Sequence, residues 1–339
     1  MKKTIILLST VFILFSCSNV EKEKAISTTE SDAKIEVVTS LVPLASIVNY
    51  IGGELVSAKS LVPAGVSPHG FDLKPSQIVD MEKSDLIVYL NLDHVDGFLN
   101  KTVEGKTNVV SVKKGIELLE SKGHNHDEHE DEHHDEDEHE DEHEDEHHDE
   151  DEHHDEDEHE DEHHDEEWHS IDPHIWGSAE NAYLIGNTIL NELIKISPEN
   201  KDYFSSNLEK FKSELDLAKT DFNKNIEGKT QANFIAFHDA YNYLFAELNI
   251  DNSKKHIFRS SELSDPNSAE VKFLIDEINE LSIKVAYKEP QLNSNNLKKI
   301  ASDYNLGIYV LDPLWNNQDR NWYIENYKNN LKSLENIYE

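Results

Sequence analysis

KIEVVTSLVPLASIVNYIGGELVSAKSL, residues 34–61, reads as strand, helix, strand. Ile35 to Leu41 and Leu55 to Leu61 are short apolar runs of strand length, and Pro43 to Tyr50 is the helix between them. A strand followed by a helical crossover and a second strand is the unit of a parallel sheet, with a right-handed connection. The alternation continues outward. Pro75 to Lys83 is a further helix, Asp85 to Leu90 and Asn108 to Val112 are further strands, and Asp96 to Glu104 has helical character. Beyond a low-complexity interruption, Ala179 to Ile196 and Pro198 to Glu227 are long amphipathic stretches, the second opening on a proline suited to a first helical turn. Alternation then resumes with strand Ala232 to Phe237, helices Ala240 to Leu248 and Ser268 to Leu281, and strand Lys284 to Tyr287. Helix Ser294 to Tyr304, strand Gly307 to Leu311 and a closing helix Asp319 to Leu334 complete it. The expected class is α/β, with mostly parallel sheets in two halves that flank a long helical segment. The cleft between the halves is the natural ligand site.

The interruption runs from His124 to Glu167. Its 44 positions hold 14 His, 29 acidic residues and one Asn, with no Lys or Arg. That alphabet cannot build a packed core. Two readings stand: a solvated acidic loop with no specific partner, or a tract that holds borderline divalent cations such as zinc loosely and in many arrangements. Interleaved histidine favours the second. Outside the tract, 41 acidic residues against 31 basic ones leave a net charge of −10. No basic patch is available to replace counterions on phosphates, so nucleic acid is excluded as a partner.

Residues 1–17 read as an export signal. Lys2 and Lys3 precede an apolar run from Ile5 to Phe15 that is too short to span a bilayer. Leu14-Phe15-Ser16-Cys17 resembles a bacterial lipobox, so Cys17 is the expected lipid attachment point, on a membrane facing the periplasm or the cell surface. Cys17 is the only cysteine, which rules out an internal disulfide. Polar residues 18–33 suit a flexible tether. The expected organisation is then an N-terminal lobe over 34–197 carrying the tract, a linking helix over 198–228 and a C-terminal lobe over 229–339.

Six histidines lie outside the tract: His69, His94, His169, His174, His238 and His256. His69 sits in Ser67-Pro68-His69-Gly70, a turn that follows a strand, and His238 directly follows strand Ala232 to Phe237. His174, in Asp172-Pro173-His174, precedes a helix, and Asp312 follows strand Gly307 to Leu311. In open α/β sheets ligands gather at the carboxyl ends of strands. Three imidazoles and one carboxylate make a donor set suited to tetrahedral zinc. Taken singly, each residue is an ordinary turn residue. His94 reads as an exposed loop residue, His169 as an exit residue of the tract, and His256 as surface.

The segments SPHGFDLKPSQ (67–77), DPHIWGSAENA (172–182), FHDAYNYL (237–244) and LDPLWNN (311–317), set around a His-rich acidic insertion, resemble the ZnuA-type zinc-binding proteins of bacterial ABC uptake systems. The likeness covers about residues 34–338. It implies two α/β lobes joined by one long helix, with Zn2+ held between them as transported cargo and delivered to an ABC permease. His69, His174 and His238 match the family's three histidine ligands, and Asp312 its carboxylate position, where some relatives use water or another acid. The family's manganese and iron receptors place a glutamate where His238 stands, and imidazole there favours zinc. Glu289, in Lys288-Glu289-Pro290, matches a common family acid and is expected to stand behind the ligands. Gly177 and Ser178 depart from the family's usual Leu-Asp, which bears on the helix start behind His174.

The competing classes are an enzyme, a manganese or iron receptor, and a surface metal buffer or adhesin built on the tract. His-Glu-x-x-His occurs four times, from His129, His139, His143 and His159. That metalloprotease pattern needs a helix to put both imidazoles on one face. A run of like charges cannot hold one in water, so the matches follow from composition. The expectation is a tethered monomeric receptor without catalysis, its tract an auxiliary low-affinity zinc collector.

Overall fold

The computed structural model describes residues 34–120, 171–259, 266–313 and 316–339. The leader, the tether, the tract and His169 lie outside the described residues. Two four-stranded parallel sheets with the same strand order carry the fold. The first contains β1 (Ile35–Thr39), β2 (Val56–Ser60), β3 (Leu86–Tyr89) and β4 (Val109–Ser111), ordered β2-β1-β3-β4. Its crossovers include α1 (Val42–Gly52) and α2 (Pro75–Lys83), with two short helices, α3 (Asp93–Asp96) and α4 (Asn100–Val103), before β4. Helices α5 (Ala179–Ile196) and α6 (Lys201–Ile226) follow. The second sheet contains β5 (Phe234–Ala236), β6 (Lys255–Ile257), β7 (Val285–Lys288) and β8 (Gly307–Val310), ordered β6-β5-β7-β8. Its helices are α7 (Asn242–Leu248), α8 (Ser268–Glu280) and α9 (Asn295–Asp303), and α10 (Trp322–Leu334) closes the chain. This is the expected pair of α/β lobes, with the 26-residue α6 joining them.

Both faces of each sheet are covered, as parallel sheets require. In β1 the consecutive residues Val37 and Val38 are both buried, one in the main core and one in a satellite beneath Met81 and Leu99. In β5 Phe234 and Ile235 divide in the same way, Ile235 facing a satellite core with Leu274 and Leu297. The main core is shared by the inner faces of both sheets and by the helices between them. Ten of the eleven residues of α1 are buried, in keeping with a sequence that is apolar apart from Ser46 and Asn49. Along α6 the buried residues Phe204, Leu208, Phe211, Leu215, Ala218 and Phe222 recur every three or four positions and form one stripe. Gly186 of α5 lets this layer close: a Cβ there would lie 2.7 Å from Leu208 Cδ1 and 3.2 Å from Ile51 Cδ1.

Three details differ from the sequence expectation. The stretch Asp96 to Glu104 is broken into 3-10 turns and the four-residue α4, since Gly97 lacks a side chain to favour continuous helix. The closing helix begins at Trp322, because residues 316–321 are drawn into contacts with the other lobe. The strand β6 has no counterpart in the sequence reading, and His256, expected at the surface, lies within it. Its side chain is only 9% exposed, and Nδ1 stands 2.8 Å from Glu277 Oε1. A three-residue edge strand opened by a lysine carries no alternation to detect.

Hydrogen bonds hold two connections, one of them across the lobes. The segment between β8 and α10 lies on the first lobe: Ser46 Oγ donates to Asp319 O (2.8 Å), Asn49 Nδ2 to Gln318 O (3.0 Å), and Trp176 Nε1 to Pro313 O (2.5 Å). The two ends of the tract are also joined. Glu120 and Ile171 form an antiparallel bridge, and Asp172 N donates to Leu119 O at 2.8 Å.

Candidate metal site

Each candidate ligand is presented by a local device that its own sequence supplies. Pro68 to Phe71 is a turn closed by Phe71 N donating to Pro68 O (3.1 Å), with His69 at its second position and Gly70 at φ +73°. A left-handed third position is the reason for glycine there. Phe71 anchors the turn by edge-on packing against Phe98, with centroids 5.2 Å apart. His174 is buried before a 3-10 turn over Ile175–Gly177, and Trp176 packs edge-on against it at 5.3 Å. Ser178 then caps α5 by accepting from Asn181 N (3.2 Å), and Glu247 of α7 accepts from Ala179 N (2.7 Å). The serine thus does the capping work of the family's usual aspartate.

The second lobe lines three donors along one sheet edge. His238 stands two residues past β5, Glu289 one past β7 and Asp312 two past β8, and β5, β7 and β8 are consecutive neighbours. The strand order reverses between β5 and β7, which is the switch point where ligands enter open α/β sheets. His238 Nδ1 is 2.6 Å from Glu289 Oε1. Asp312 is buried, and its two carboxylate oxygens accept from Gln291 Nε2 and Asn316 Nδ2, each at 2.7 Å.

Three of the four residues singled out from the sequence form one ring cluster drawn from both lobes. The His174 ring centroid is 6.0 Å from that of His69 and 5.4 Å from that of His238. Imidazoles ligating one tetrahedral ion at about 2.1 Å have centroids about 5 Å apart. The rings are therefore a movement of about an ångström from shared ligation, with His69 the furthest out. Consistent with that gap, no set of three or more His, Cys, Asp or Glu among the described residues is already at ion-holding separation. His94 is exposed on α3, and His256 lies in β6 with Glu277; neither joins the ring cluster.

Each buried histidine of the cluster leans its Nδ1 on a carboxylate, the partner arrangement that orients histidine ligands of metals. For His174 this partner is Asp172, with Oδ1 2.7 Å from Nδ1 and 2.9 Å from the His174 backbone N–H. Asp172 received no role from the sequence, although an Asp two residues before a His, with Pro between, is the available signal. Burial works most strongly on the Asp172 carboxyl and pushes its pKa up; the charge and hydrogen bonds of His174, with a hydrogen bond from Asn242, together outweigh it and hold the group below its ordinary range. Gln291 and Asn316, which steady Asp312, were likewise not singled out.

Residues 37–337 match the family described as ZnuA, zinc-uptake complex component A, periplasmic. The high-affinity zinc uptake system protein ZnuA of Bacillus subtilis (strain 168) is 27% identical over 333 residues, covering 95% of this chain and 93% of that protein. The manganese ABC transporter substrate-binding lipoprotein PsaA of Streptococcus mitis is 21% identical over 317 residues, covering 90% and 86%. A crystal structure of a ZnuA deletion mutant with zinc bound superposes with a TM-score of 0.67 at 23% identity, over 90% of this chain and 98% of that one. The fold, the strand-end donors and the match along nearly the whole folded chain lead to one assignment: the chain belongs to the ZnuA family, the metal-binding receptors that serve ABC transporters rather than catalyse a reaction.

Proposed function

We propose that this chain captures Zn2+ outside the cytoplasm and delivers it to a membrane permease, with His69, His174, His238 and Asp312 as its ligands. The observation that carries this reading is the approach of the His69 and His238 imidazoles, from two lobes, to 6.0 and 5.4 Å from the His174 ring, with His174 and His238 backed by carboxylates. Imidazole nitrogen suits zinc, whereas manganese sites favour carboxylate and carbonyl oxygen. The zinc-uptake relative supports zinc, and the manganese relative makes manganese the reading to be tested against it. Iron, in a receptor of the same family, is the third metal to compare. In this reading Cys17 carries the lipid anchor, the receptor works as a monomer, and the His-rich tract gathers zinc weakly near the cleft.

The decisive experiment is a zinc titration against a competing chelator, on the full chain and on a variant lacking residues 124–167. Since Leu119 and Asp172 are already hydrogen-bonded, the deletion shortens a connection whose ends are joined. One tightly held zinc should remain after deletion, and it should be lost in His69→Ala, His174→Ala or His238→Ala. A metal buffer or adhesin built on the tract would instead lose most of its zinc capacity with the deletion. Tighter manganese than zinc in the same assay would select the manganese receptor.

A further inference from the structure

Behind the ring cluster lies a buried polar chain that crosses between the lobes. The second oxygen of Asp172 accepts from Asn242 Nδ2 at 3.0 Å, and Asn242 opens α7 in the opposite lobe. The carbonyl end of the same amide, Oδ1, accepts from Lys255 Nζ at 2.6 Å. Lys255 also pairs with Asp239, the residue next to His238, and its ammonium lies 5.8 Å from the Phe245 ring centroid. The lysine side chain is only 9% exposed.

Donor and acceptor counting gives this chain a direction. An ammonium has three donors and no acceptor, so it can face only the oxygen of the Asn242 amide. With the oxygen held there, the amide nitrogen must face Asp172 and donate to it. Without the lysine, the buried amide oxygen loses its donor, and the Asn242 side chain is no longer held in place against Asp172. Asp172 would then lose a donor to the oxygen that does not serve His174, and the imidazole it orients would be less firmly aimed. The same lysine holds the turn that carries His238 through Asp239.

We infer that Lys255 is a positioning residue of the metal site, acting on His174 through Asn242 and Asp172 and on His238 through Asp239. The inference rests on the metal-capture reading above and adds to it a control point in β6 that touches no ligand. Residues of this kind around metal sites change affinity by about 10–100-fold when replaced.

The test uses the full chain, with free zinc set by a chelator buffer so that only the tightest site fills. Lys255→Met should weaken zinc about tenfold and alter the visible spectrum of cobalt(II) bound in place of zinc. Lys255→Arg, which keeps the charge and the donors, should retain most of the affinity. Asn242→Leu should weaken zinc as well, and the double variant should fall short of the sum of the two losses, because both changes break the chain that leads to His174. Unchanged zinc affinity and cobalt spectrum in Lys255→Met overturn the inference. If that variant does not fold, unchanged values in Asn242→Leu do so instead. Full additivity of the two substitutions also overturns it. His174→Ala separates the two levels: if it leaves tight zinc intact, the ligand assignment fails, whereas if it abolishes binding while Lys255→Met leaves zinc affinity and the cobalt spectrum unchanged, only the lysine's role fails.

Discussion

His238 is the side chain on which metal preference turns in the proposed site. Replacing a borderline nitrogen donor by a hard oxygen donor should cost more zinc affinity than manganese affinity. His238→Glu is therefore expected to narrow the zinc-over-manganese ratio by at least tenfold, as measured by competition of the two ions. Glu289→Gln tests the carboxylate behind that imidazole: zinc should weaken about 10–100-fold with the apo fold intact, and an unchanged constant would show that the 2.6 Å contact does not tune the ligand. Asp96 illustrates a buried acid with a different job. Its carboxylate accepts from Leu90 N (2.6 Å) and Leu92 N (2.9 Å), locking the loop after β3. Burial pushes its pKa up to about 6, in spite of those bonds. A pKa raised on folding means that the folded state binds the proton more tightly, so this group's contribution is complete below about pH 4 and is lost as pH rises through about 6. Relative to Asp96→Asn, the parent should lose stability across that window in urea melts at successive pH values; parallel curves would refute the assignment. The residue scale is also where the sequence was most legible, since chain order puts His238 just past a strand, His174 just before a helix and His69 in a turn between proline and glycine. Asp172, Asn242 and Lys255 were not legible, because their work depends on partners 70 and 13 positions away.

Among the elements, α5 and α6 meet closely at Gly186. Valine there would push against Leu208 and Ile51, both of them buried. Overpacking of this kind costs about 1–3 kcal/mol. Thermal melting of Gly186→Val should fall by several degrees, and an unchanged midpoint would mean that the helices slide apart without cost. Long elements were readable in advance because their pattern repeats: the stripe from Phe204 to Phe222 runs through five turns of α6 and leaves no ambiguity of period. Strand β6 was not readable. Three residues at an edge offer no repeat, and tertiary pairing with Phe234 to Ala236 decides their conformation.

For the whole molecule, the two sheets share one core while the candidate ligands come from both lobes. Metal that binds only the folded form must therefore stabilise the whole, by about 2.7 kcal/mol at a free concentration one hundred times the dissociation constant. Melting under buffered zinc should rise accordingly in the tract-deleted protein, and a flat profile would count against ligands drawn from both lobes. Affinity should also decline in acid, since protons compete for the imidazole nitrogens. The pairing of Leu119 and Glu120 with Ile171 and Asp172, on either side of the tract, has a consequence for its length. Once a gap is closed at its base, doubling the length of chain strung across it changes folding free energy by only about 0.6 kcal/mol. Variants with fewer or more of the histidine-acid repeats are therefore expected to melt within about a degree or two of the parent.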